Sequence, residues 1–295
     1  MDISIIIVNY NSSIHTINCV KSINRFTSQI LFEIIVIDNN SQEKDFNFLQ
    51  KALNNYDVKL IKSKINLGFG GGNQLGFQFS SGKHLAFINN DVEFIENSLE
   101  KLHSYSKTNP KIGLLGLNQI NENNKVFEKS YRRFQGIRYL LYKQPKPYEY
   151  YKKLHKNNLT KPFEVDLVSG AFMFFKSEAY VACGGFDSNI FLYYEEMDIC
   201  KRLKNSGYNT VFYPEAVFKH YFGKSSENVK VKIEYASSYL YVLQKNYNYF
   251  YYKATQFILI IKYGFKAIFK SKHRKPFFIF LKGGNSLVYS MKFNR

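Results

Sequence analysis

Three short apolar runs set the frame of the N-terminal third: ISIIIV at 3–8, FEIIVID at 32–38 and HLAFIN at 84–89. Each is too continuously apolar for a sheet that is wet on one face. That is the pattern of parallel strands covered on both sides. The segments between them carry helical spacing, as in Ile14, Ile17, Val20 and Ile23, or read as helix outright, as in DFNFLQKAL. DVKLIKS reads as a weaker strand, and GGNQLGFQFSSG as a glycine-opened helix that Gly82 would close as a C-cap. Strand alternating with helix predicts an α/β fold, a mostly parallel sheet flanked by helices with right-handed crossovers. Ligands of such sheets sit beyond the carboxyl ends of the strands.

Those ends are polar. The first strand stops at Asn9, Tyr10 and Asn11, the second at Asp38, Asn39 and Asn40, the fourth at Asn89, Asn90 and Asp91. Asn and Asp serve turns through local hydrogen bonds, but three such ends on one sheet edge also mark a binding site. Asn89 and Asp91 offer hard oxygen ligands suited to magnesium or manganese carrying a diphosphate. His220 reads either as a further ligand or as a structural histidine. A second acidic cluster, Glu195, Glu196 and Asp198, opens a helix. It complements the helix dipole, Asp198 can pair with Arg202, and a carboxylate there can act as general base. The loop NLGFGGGNQLGF fails the dinucleotide fingerprint, because Asn73 stands where G-x-G-x-x-G needs glycine.

The net charge of +18 predicts an anionic partner: nucleic acid, anionic lipid or a phosphorylated substrate. The acids at 195–198 would repel nucleic-acid phosphates, which argues against that partner. Three cysteines without CxxC spacing exclude a disulfide scaffold and fit a reducing compartment. The N-terminus lacks a basic segment before its apolar run and reads as a strand, not as a signal peptide. Residues 118–164 are polar, basic and tyrosine-rich, the composition of a lid over a site or of a lining for the second substrate's path. Beyond 226 the chain is basic and aromatic. In QFILIIKYGFKAIFK the lysines 262, 266 and 270 recur four apart, on one helix face. They interrupt a run too short to span a bilayer. Such a helix either lies in a membrane interface or packs on the core with a solvated lysine stripe.

The stretches SIIIVNYNS, IIVIDNNS, NLGFGGGNQLGF, FINNDVEF, LVSGAFMFFKSEAY, GGFDSNIFLYYEEMDICKRLKNSGY and FKHYFGKS together resemble family 2 glycosyltransferases, in particular their rhamnosyltransferase-like branch. The resemblance covers about residues 3–226. It implies a GT-A fold over 1–226, a helical extension over 227–295, a nucleotide-sugar donor such as a UDP- or dTDP-sugar, and inversion at the anomeric carbon. It implies donor contacts from Asn9, Tyr10, Asn11, Asp38, Asn40, Gly70, Asn73, Asn89, Asn90 and Asp91. A divalent metal, Mn²⁺ or Mg²⁺, would sit on Asp91 with His220 and Asn89. Glu195 and Glu196 would be the catalytic pair, the second acid serving as base, with Asp198, Arg132 and Arg133 on the acceptor side. Three departures stand out: the pair is Glu-Glu where the family has Glu-Asp, the metal motif begins with Asn89, and in SYRRFQG Gln135 stands where the branch has proline. The acceptor would be a glycan or lipid-linked glycan, as in surface polysaccharide assembly. The enzyme would be cytoplasmic and held at the inner face of the membrane by its tail. Truncation near residue 250 would then spare the donor chemistry. The rival readings are an NAD(P)-dependent oxidoreductase and a nucleic-acid-binding protein.

Overall fold

The computed structural model describes residues 1–142, 144–156, 158–221 and 229–293. The expected alternation occupies the first part. It runs β1 (Ile3–Asn9), α1 (Ser13–Phe26), β2 (Phe32–Asp38), α2 (Glu43–Leu53), β3 (Val58–Lys62), α3 (Gly68–Phe77) and β4 (His84–Asn89). Then come β5 (Val92–Phe94), α4 (Ser98–Ser106), β6 (Ile112–Ile120), β7 (Tyr131–Arg132), α5 (Ile137–Leu141), α6 (Pro147–Leu154), β8 (Phe163–Glu164) and β9 (Leu167–Val168). The chain closes with β10 (Phe172–Lys176), α7 (Ser177–Ala182), α8 (Glu195–Asn205), β11 (Asn209–His220) and the helices α9 (Val229–Asn246), α10 (Tyr249–Phe269) and α11 (Arg274–Lys282).

One sheet runs in the order β3-β2-β1-β4-β10-β6-β11-β5, with β8 on β11. Its first four strands are parallel. β10 then enters antiparallel between β4 and β6, and β6 pairs in parallel with β11. The sheet is thus parallel in its first half and mixed in its second. Alternate residues of β1 feed opposite faces: Ile3, Ile5 and Ile7 enter one core, Ile6 the other. That is why the run is apolar without a break. Helices α1, α2 and α4 cover the first face, and α7, α8 and the C-terminal helices cover the second.

Helix α3 ends at Phe77, so Gly82 is not its C-cap. A Cβ on Gly82 would collide with the Ser4 backbone nitrogen. The glycine is there because two backbones pass too close for a side chain. Residues 222–225 of the FKHYFGKS stretch lie outside the described residues.

Candidate active site

At the end of β4 the chain turns through Asn90 and Asp91 into β5. β5 pairs antiparallel with the end of β11, placing His220 opposite Val92. That register brings the imidazole beside Asp91, with Nε2 3.1 Å from Oδ1. On the other side Nδ1 lies 3.1 Å from Oε1 of Gln119. A ring nitrogen and a carboxylate oxygen this close form a donor pair that fits a divalent ion. Among the described residues no group of three His, Cys, Asp or Glu side chains forms a metal cage. Asp91 and His220, with Asn89 nearby, would therefore leave further positions to a phosphate ligand, as hard cations often do.

Asp91 and His220 sit in a cleft of about 910 Å³ that also touches Tyr10, Asn39, Asn66, Gly68 and Asn90. Its size is that of a small-molecule site. Asn39 builds its glycine-rich wall. Its Nδ2 donates to Asn66 Oδ1 and to the Gly68 carbonyl, both at 3.0 Å, and its Oδ1 accepts from the Leu67 N–H at 2.8 Å. Several residues expected to touch a donor lie behind this wall. Asn9 is fully buried, donating to Asp38 at 3.0 Å and accepting from the Thr16 hydroxyl at 2.7 Å. Asp38 is buried as well and accepts from the Ser41 N–H. Both therefore set the loop rather than present groups to the cleft. Asn11 and Asn40 take left-handed conformations, φ +50° and +67°. Asn11 accepts from the Gln42 N–H. Gly70 packs against the Asp187 and Ile190 carbonyls. Asn73 is buried and donates to the Phe69 carbonyl within α3.

Phe69, Asn89, Leu192, Tyr193 and His220 are shared with a second cavity of about 280 Å³, so the two form one cleft. Arg132, Arg133, Gln135, Glu195, Glu196 and Tyr235 line this inner part. Glu196 Oε1 accepts from Arg132 Nη2 at 3.0 Å and from the Gly170 N–H at 3.3 Å. Arg133 lies over the Tyr150 ring at 3.7 Å and donates to Gln144, bracing the 118–164 segment. Tyr193 and Tyr194, both left-handed at φ +70° and +68°, turn the chain into α8. Their rings are held by Tyr235 and Tyr239 of α9, with centroids 4.6 and 4.7 Å apart. Such strain persists where the surroundings enforce it, and it collects at functional sites.

The three acids of α8 part company. Glu195 is buried with Oε1 unpartnered. Burial, aided by the Glu196 charge, pushes its carboxyl well above the ordinary range. Asp198 does not reach the cleft, which corrects its acceptor-side assignment. It pairs with Arg202 and Lys245 and accepts from Asn246 at 2.7 Å, tying α8 to α9. The sequence reading missed Asn39, Asn66, Tyr193, Tyr235 and Lys230. The first two are flagged only by their place in the polar strand-end triplet and just before the glycine loop. Tyr235 and Lys230 come from the basic tail, where no local pattern points to the site.

The sequence resembles a low-salt glycan biosynthesis hexosyltransferase of Haloferax volcanii, 27% identical over 224 residues, covering 70% of this chain and 63% of that protein. It also resembles a probable N-acetylgalactosaminyltransferase of Caenorhabditis elegans, 25% identical over 236 residues, covering 76% of this chain and 38% of the other. The chain therefore spans less than two thirds of either relative. Among solved structures, GalNAc-T7 with UDP, GalNAc and Mn²⁺ matches with a TM-score of 0.69 at 18% identity, over 96% of this chain and 56% of that one. A Pyrobaculum calidifontis mannosyltransferase with GDP-Man and Mn²⁺ matches with a TM-score of 0.59 at 14% identity, over 97% and 69%. These likenesses establish the GT-A fold. The sequence model of glycosyl transferase family 2 matches residues 4–182, more than half of the chain, and the protein belongs to that family.

Proposed function

We propose that the protein transfers a sugar from a nucleotide-diphosphate donor, a UDP- or dTDP-sugar, to a hydroxyl of a glycan or lipid-linked glycan, with inversion. One observation carries this reading: a single cleft with His220 at its waist, Asp91 beside it in the outer part and Glu196 on its inner wall. Family membership supports it, as do the hexosyltransferase relative and the nucleotide-bound Mn²⁺ complexes of the structural neighbours. The donor's nucleotide lies against Tyr10, Asn39 and the Gly68 loop. Asp91 and His220, with Asn89, would hold Mn²⁺ or Mg²⁺, which would supply positive charge for the departing diphosphate. Glu196 takes the proton of the acceptor hydroxyl. Arg132 holds Glu196 Oε1 from the side and leaves Oε2 for that proton. Inversion follows when the acceptor attacks from the inner cavity, opposite the diphosphate.

We also place the protein on the cytoplasmic face of a membrane, held there by α10 and α11. No helix among the described residues is long and apolar enough to cross a membrane, so this contact is peripheral in our reading.

Hydrolysis of a panel of UDP-, dTDP- and GDP-linked hexoses and rhamnose tests the donor. Turnover of one nucleotide class is expected with Mn²⁺ or Mg²⁺, abolished by Asp91→Asn and by excess EDTA. Full activity in EDTA, or thermal stabilisation by NAD(P)H alone, would overturn the reading.

A further inference from the structure

A third hollow of about 440 Å³ lies between α9, α11 and the C-terminal segment. Its wall is apolar, with Ile233, Phe278 and Met291, and three lysines, Lys230, Lys275 and Lys282, stand around it with no acid among the lining residues. The C-terminal wall is fixed: Glu234 accepts from the Ser290 hydroxyl at 2.9 Å and from the Met291 N–H at 2.6 Å. Lys230 and Met291 line the donor cleft as well, so the hollow adjoins the site. On its outer side Phe278 and Leu281 are 55% and 50% exposed.

An apolar wall alone suits a neutral hydrocarbon, and three lysines alone suit any anion. The two together suit an amphiphile whose phosphate head stands beside a hydrocarbon chain. We infer that this hollow binds the phosphate-bearing, hydrocarbon end of a lipid-anchored acceptor and so holds the attached glycan at the mouth of the cleft. The proposal rests on the glycosyltransferase reading, since it names the membrane side of that acceptor. Lys275 and Lys282 supply charge to the head and Phe278 packs on the chain. The exposed apolar side chains of α11 let the lipid reach the hollow from a membrane.

The test uses the full-length protein and a dansyl-labelled C15 prenyl phosphate, read by fluorescence. Saturable binding is expected, weakened about tenfold or more by Lys275→Glu with Lys282→Glu, since each lysine beside an anionic surface contributes about 1 kcal/mol. Phe278→Asp should weaken it too, while Lys275→Arg with Lys282→Arg should preserve it. Inorganic phosphate, UDP or decyl maltoside in excess should leave the probe bound. Displacement by phosphate would make this a free-anion site, displacement by UDP would move the probe to the donor cleft, and displacement by the maltoside would reduce it to a greasy surface. Any of these, or unchanged binding in the charge-reversed variant, overturns the proposal. Nucleotide-sugar hydrolysis is measured beside it and should persist in all three variants. Its absence from the wild type would sink the enzyme reading while the binding data still decide this one.

Discussion

Glu196 and Glu195 are neighbours in sequence and opposites in environment. Glu196 lines the cleft with Arg132 on one oxygen, whereas Glu195 is buried with an oxygen lacking any partner. Glu196→Gln keeps the shape and cannot accept a proton. It should lose transfer by about 10² to 10⁴ while binding the donor as before. Glu195→Gln should be far milder. Its signature lies in stability. Because the Glu195 carboxyl is raised, the folded state holds a proton that the unfolded chain releases above its ordinary value of 4.5. Wild-type stability should therefore fall as pH rises through that range and beyond. The melting temperature of Glu195→Gln, relative to wild type, should climb as the pH rises above the ordinary carboxylate value of 4.5. A difference that stays flat with pH would mean that Glu195 is not held neutral. If Glu195→Gln is the inactive variant and Glu196→Gln turns over normally, the base is Glu195.

At the scale of elements, α10 shows where sequence reasoning stops. Its lysines fit a helix on a membrane and a helix on a core equally, and the structure shows the core packing together with an apolar stripe left exposed. Tyr252, Thr255, Gln256 and Leu259 are buried. Phe257, Ile261, Phe265 and Ile268, spaced four, four and three apart, are 62%, 46%, 65% and 68% exposed. Lysines 262, 266 and 270 stand beside that stripe, crowded enough that burial and the other two lower the Lys266 pKa. Exposed apolar side chains flanked by cations mark an interaction surface. Lys262→Glu, Lys266→Glu and Lys270→Glu together should weaken binding to anionic vesicles about a hundredfold, at about 1 kcal/mol per lysine. A triple variant that sediments with the vesicles as wild type does would remove the membrane from the account. The parallel strands were legible for a simpler reason: an unbroken apolar run has one use, a strand covered on both faces. The polar residues after those strands were legible only as a group. Once the chain leaves the sheet, strict alternation ends. Left-handed turns at Asn11 and Asn40 then decide which side chain faces the cleft. Asn39 and Asp38 are both buried, but only Asn39 lines the cleft.

For the whole molecule, the division at residue 226 is not a seam. The last helices are continuous with the catalytic body. Leu240, Leu243, Tyr252, Leu259, Ile279 and Phe280 share one core with Phe87, Tyr180, Met197 and Ile199. The Ile137 N–H of the 118–164 segment donates to the Tyr251 hydroxyl at 3.0 Å, and Gly136 leaves the room that hydroxyl needs. Met291 returns to the donor cleft. This packing argues against the expectation that cutting near residue 250 spares donor chemistry. Such a cut removes the buried side chains of Tyr252, Leu259, Ile279 and Phe280. Emptying one large core position costs about 2–5 kcal/mol, and a whole domain is stable by only about 5–15 kcal/mol. Four such losses, with Glu234 stripped of Ser290 and Met291, exhaust that margin. The fragment 1–249 should therefore show no cooperative thermal transition by circular dichroism and no nucleotide-sugar hydrolysis. Reversing only the charges at Lys262, Lys266 and Lys270, as in the triple variant, should leave both intact. A fragment 1–249 that melts cooperatively and still hydrolyses the donor would show that the tail is an appendage after all, and that the core is complete without it.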